Sequence, residues 1–141
     1  TWVYDINKDG MPDIVQAEAD TPNGRVFWWE NARHRKKFIF HLISDENTNQ
    51  DLHSLVLADF DGNGSVDIVS GGGPLSTEAH KLSLWENVNG DGSEWHEHVI
   101  LEGYRSHETV AADVNGDGLI DIVSKPWRGG LHYFLENKGM K

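Results

Sequence analysis

The chain has no cysteine, so neither a disulfide framework nor a thiolate metal site is available to it. That absence is compatible with a bacterial envelope or secreted protein. Basic residues are few: 12 Lys and Arg stand against 23 Asp and Glu, for a formal charge of −11. This balance argues against a nucleic-acid partner, which asks for a basic stripe. Long apolar runs are also missing, and none approaches the length of a membrane span. Helix signals are poor. The apolar runs are short, alternating and rich in Val, Ile, Trp and Phe, and 15 glycines interrupt them, which favours an all-β fold. With 141 residues the chain is long enough for one domain with its own core. It starts at Thr1 without a leader pattern and reads as a processed product or an excised fragment, its export signal already gone.

What is present is one stretch in three copies. They are Asp5-Ile-Asn-Lys-Asp-Gly-Met-Pro-Asp-Ile-Val15, Asp59-Phe-Asp-Gly-Asn-Gly-Ser-Val-Asp-Ile-Val69 and Asp113-Val-Asn-Gly-Asp-Gly-Leu-Ile-Asp-Ile-Val123. Their first residues, 5, 59 and 113, keep a constant step of 54. Oxygen-bearing side chains occupy the first, third, fifth and ninth places, a spacing that lets a tight loop wrap a hard divalent cation. The predicted ligands are Asp5, Asn7, Asp9 and Asp13; Asp59, Asp61, Asn63 and Asp67; and Asp113, Asn115, Asp117 and Asp121. A main-chain carbonyl from Met11, Ser65 or Leu119 would complete each set. Gly10, Gly64 and Gly118 permit the sharp turn at the sixth place. The helix-hairpin calcium motif closes with a Glu at its twelfth place, where this chain has Gln16, Ser70 and Ser124. Asp13, Asp67 and Asp121 must therefore supply the closing carboxylate. Asn, Asp and Gly are also ordinary turn residues, but three copies of one ligand set favour three calcium ions per chain. Three divalent cations would bring the charge from −11 to −5.

Each loop sits in a longer unit. An alternating run precedes it, starting at His53 and His107 in the second and third copies. A polar connector follows, then an apolar run ending in Glu-Asn: Glu30-Asn31, Glu86-Asn87 and Glu136-Asn137. A fourth run, Phe38 to Ile43 and Trp95 to Ile100, closes the first two units, and the third stops before reaching it. Four short antiparallel strands in a repeat of this length form a propeller blade. The expected fold is all-β: blade units at about 1–51, 52–105 and 106–141, two complete and the third lacking its outer strand.

The Asp-x-Asx-x-Asx-Gly-x-x-Asp-Ile-Val repeats resemble the FG-GAP/VCBS repeats of calcium-loaded β-propellers, as in integrin α-subunit heads and secreted bacterial proteins. The resemblance implies that the loop residues bind calcium and that the protein works outside the cell, in the periplasm or at the cell surface. Asn in place of Asp at positions 7, 63 and 115 lowers the ligand charge. Closed propellers have four to eight blades, so a chain with under three implies further blades of a longer protein or self-association, for which a homodimer of two three-blade chains would suffice.

Strand order places the loops on one face and the variable connectors on the other. Variable loops on a rigid scaffold are where binding resides. The ligand-binding candidates are His53, Tyr104, Arg105, His107, Trp127 and Arg128. A loop Trp beside Arg can stack on a sugar ring and hydrogen-bond its polar groups, although Trp127 could equally pack between blades. Trp28, Trp29, Trp85 and Trp95 read as packing residues, and His41, His96 and His98 as surface or edge residues. No catalytic residue is assigned. The leading expectation is a module that binds carbohydrate or protein; the alternative is part of a sugar-acting lyase or dehydratase using channel-facing His and Arg.

Overall fold

The computed structural model describes residues 1–32 and 37–139. Eleven strands form three antiparallel sheets, and no helix occurs among the described residues. The first sheet is β1 (Trp2–Tyr4), β2 (Asp13–Ala17), β3 (Val26–Ala32) and β4 (Lys37–Leu42), paired in chain order. The second repeats that order with β5 (Leu52–Ala58), β6 (Asp67–Gly72), β7 (Lys81–Asn87) and β8 (Trp95–Glu102). The third has β9 (Glu108–Ala112), β10 (Asp121–Lys125) and β11 (Tyr133–Leu135), with β10 in the middle. These are the expected propeller blades of four, four and three strands, a partial propeller. β5 touches both β1 and β9, so the first strands of the three sheets converge.

The sheets stack face to face, which sets their burial. One apolar layer joins sheets one and two through Ile6, Val15, Val26, Trp28, Leu57, Ile68 and Trp85. A second joins sheets two and three through Val56, Phe60, Val69, Leu82, Leu84 and Ile122. β6 is therefore buried on both faces and reads as a continuous buried run rather than an alternating one. The outward faces of the end sheets leave Val3, Phe38, Phe40 and Val110 exposed. Trp28 and Trp85 are core residues and Trp95 packs against them, while Trp29 is half-buried beside Phe27 and Phe40.

The loop glycines are a backbone requirement. Gly10, Gly64 and Gly118 have φ of 85°, 84° and 88°, and a Cβ built on any of them meets nothing within 4 Å. Gly64→Ala should therefore cost only the left-handed backbone term, about 1–2 kcal/mol. Urea unfolding would show this as a lower midpoint with an unchanged slope.

Candidate functional site

Each loop connects the first two strands of its sheet, and the ninth-place Asp opens the second strand. Asp13, Asp67 and Asp121 are fully buried. Each carboxylate accepts two main-chain hydrogen bonds: Ile6 and Asn31 N–H for Asp13, Phe60 and Asn87 N–H for Asp67, and Val114 and Asn137 N–H for Asp121, at 2.8–3.1 Å. The main-chain N–H of the Asn in the thrice-repeated Glu-Asn thus ties the third strand to the loop. The Asn31 and Asn137 side chains add bonds to the eighth-place carbonyls of Pro12 and Ile120.

The remaining loop oxygens are tied to the loop's own N–H groups by a ladder of short turns. The first-place carboxylates of Asp5, Asp59 and Asp113 accept from the N–H of Gly10, Gly64 and Gly118. Third-place oxygens accept from the fifth-place N–H groups, and fifth-place oxygens from the seventh. In the second loop, oxygens of Asp59, Asp61 and Asp67 lie within 4.8 Å of one another. Burial, with the neighbouring Asp61 and Asp59 charges adding to it, pushes the Asp67 carboxyl up to about 6. Burial likewise raises Asp13, whereas main-chain hydrogen bonds led by Asn137 lower Asp121, whose loop lies open. A carboxylate has lone pairs left after two main-chain bonds, so each set retains oxygens that could hold a hard cation. The seventh-place Ser65 hydroxyl accepts from Lys8 Nζ at 2.8 Å, a link between the first two loops.

On the opposite face three of the predicted ligand residues come together. His53 and His107 stack with ring centroids 3.6 Å apart, and Trp127 lies 4.6 Å from His107. Pairing jumps from Leu52 to Ser54, leaving His53 at an irregularity that re-aims its side chain. His53 Nε2 is 3.7 Å from the exposed Asp20 carboxylate. His107 is buried and its Nδ1 has no hydrogen-bond partner among the described residues; burial, reinforced by His53, lowers its pKa. Trp127 is 57% exposed and is not packed between any two of the three sheets. Arg128 is exposed beside it. Tyr104 makes an edge contact with Tyr133, and Arg105 donates from Nε to His80 Nε2 at 3.2 Å; these two belong to a neighbouring patch.

Asp51 and Gln50 organise this face, and no repeat pattern points to them. Asp51 is fully buried and accepts from the Asp20 and Leu75 N–H groups, so one carboxylate holds the connectors of two sheets. Gln50 donates to the Ala79 carbonyl and accepts from Lys81 N–H. On the outer strands, His41 and His98 are half-buried and bond Glu30 and Glu86 at 2.9 and 2.8 Å, so they are more than surface residues.

Comparison with known proteins agrees with this architecture. Residues 5–70 match the FG-GAP-like repeat, from the first residue of the first loop to the strand after the second. That stretch carries the FG-GAP-like repeat. A T-cell immunomodulatory protein homolog from Plasmodium falciparum (isolate 3D7) is 31% identical over 133 residues, covering 86% of this chain. This chain spans 18% of that relative's length.

Proposed function

We propose that this is a calcium-stabilised propeller module, working outside the cytoplasm, that binds a carbohydrate or protein ligand through the face opposite its loops. The observation that carries the reading is the joined surface of His53, His107 and Trp127, with Arg128 at its edge. An exposed indole on a buried imidazole offers a flat apolar platform with polar rims, and the adjacent guanidinium can pair with a carboxylate or hydroxyls. The loops' side-chain oxygens would be committed to calcium, three ions per chain, held by the first, third, fifth and ninth residues with the Met11, Ser65 and Leu119 carbonyls. No helix among the described residues is long and apolar enough to cross a membrane. The exposed apolar faces of the end sheets fit further blades of a longer protein or a second copy of the chain.

Trp127→Ala combined with Arg128→Ala tests the binding face. On a glycan array followed by calorimetry, the double variant should lose binding at least tenfold, with melting temperature and calcium content unchanged. Undiminished binding would place the ligand elsewhere. One observation favours a second reading: His107 is held neutral by burial with a free Nδ1, as a proton acceptor would be. If the module is part of a sugar lyase or dehydratase, His107→Gln lowers turnover far more than it weakens ligand binding, whereas a mere platform role loses both together.

A further inference from the structure

The outer edge of the second sheet carries a constellation that the first sheet does not repeat among the described residues. Glu86 on β7 lies directly opposite His96 on β8, and His98 is two residues further along the same strand face. One ligand atom from each of the three lies within 4.8 Å of the others. Glu86 Oε2 is 2.8 Å from His98 Nε2, and the two imidazole rings are 4.5 Å apart. Ligand atoms about 2.0–2.2 Å from a tetrahedral zinc ion are separated by roughly 3.4 Å. Small side-chain adjustments bring this trio to that spacing, with the Glu86–His98 hydrogen bond exchanged for two metal bonds.

The first sheet provides an internal control. Glu30 there also pairs with a histidine, His41, at 2.9 Å. Opposite Glu30, however, stands Ile39, and His41 lies flat on Trp28, 4.3 Å away at 16°. In the second sheet His96 replaces Ile39, and Leu84, opposite His98, replaces the indole. Two changes at one edge thus turn a packed Glu–His pair into three convergent ligands on adjacent strands.

We propose that Glu86, His96 and His98 form a site for zinc or a similar imidazole-seeking divalent cation, distinct in chemistry from the all-oxygen loops. Nitrogen donors favour such ions over calcium. Three protein ligands leave a fourth position open, and two histidines at alternate places on one strand are held on the same side by the backbone. His98 also lines a cavity of about 530 Å³ between sheets two and three, walled by Ile100, Ile120 and Phe134. The charged groups on the far wall, Glu136 and Lys138, pair with each other at 2.5 Å, so the lysine's charge is compensated.

Calorimetric titration of zinc chloride into the protein, held in millimolar calcium to occupy the loops, tests the site. One zinc per chain should bind saturably. His96→Ile, which installs the first sheet's residue at an exposed position, should weaken binding by roughly tenfold or more, since loss of even a supporting residue typically costs that much. The same variant should keep its circular dichroism, and His41→Ala should bind zinc like the parent. Absence of saturable binding below millimolar zinc overturns the proposal. So does binding undiminished in His96→Ile, which would send the ion to other histidines.

Discussion

In calcium at about a hundredfold excess over its dissociation constant, the protein is expected to melt upward of about 20 °C higher than in chelator, from about 2.7 kcal/mol per occupied loop and roughly 3 °C per kcal/mol. Single substitutions in the second loop should divide this effect by position. Asp61 is half-exposed, and its turn bonds to Asn63 face solvent. Asp61→Ala should therefore remove about a third of the calcium-dependent gain and change little in chelator, where it even relieves repulsion with Asp59 and Asp67. Asp67 behaves differently because both of its oxygens serve buried main-chain donors, the N–H groups of Phe60 and Asn87. Asp67→Ala leaves those donors unsatisfied at about 1–3 kcal/mol each, so it should lower the melting temperature even in chelator, and further in calcium, where that loop's ion is lost as well. Differential scanning fluorimetry of the two variants under both conditions reads the contrast. An equal loss for Asp61→Ala in the two conditions would mean that the loop is a turn and not a cation site.

The second large effect belongs to Asp51. Asp51→Ala removes two charge-assisted hydrogen bonds, to the Asp20 and Leu75 N–H groups, in a fully buried position. A loss of about 3 kcal/mol or more is expected from bonds of roughly 1.5–3 kcal/mol each. Gly73→Ala should act in the same direction, since a Cβ there collides with the Asp51 carboxylate and comes within 2.9 Å of His53 Cβ. Both variants should retain the calcium response of the parent, because the defect lies on the opposite face. Amide hydrogen exchange would then show faster exchange in the connectors after β2 and β6. A uniform acceleration that reaches the loop strands would contradict the separation of the two faces.

How far the sequence discloses this molecule depends on whether a feature repeats. The strand order and the loop positions were legible because the loop pattern recurs at a step of 54 and each loop is flanked by alternating runs. The convergence of His53 and His107 followed from the same step, since equivalent places on neighbouring first strands must come together. Asp51 was illegible for the converse reason: the residue one step later is Arg105, so no comparison between units could single it out. The fourth loop place was also hidden. Lys8 takes a left-handed φ of 59° where the other copies have Gly62 and Gly116 at 77° and 80°, and lysine does not advertise that backbone. The Glu86–His96–His98 trio needed cross-strand register. His96 and His98 alternate as surface residues do, and only the pairing of β7 with β8 brings Glu86 beside them.

Trp127 shows the limit of composition. Tryptophan is usually a packing residue, and the core positions of Trp28 and Trp85 follow that rule. The Pro126 and Gly129-Gly130 neighbours signalled a loop, but only the fold shows that the indole rests on His107 with most of its surface in solvent.

On the proposed reading the three loops hold calcium. This is tested most directly by titrating calcium into the chelator-stripped protein in a calorimeter, with magnesium as the competitor. Three calcium ions per chain should bind, with little displacement by equimolar magnesium, because the loops offer more oxygens than an octahedral ion accepts. Fewer than two ions per chain, or equal occupancy by magnesium, would contradict that reading.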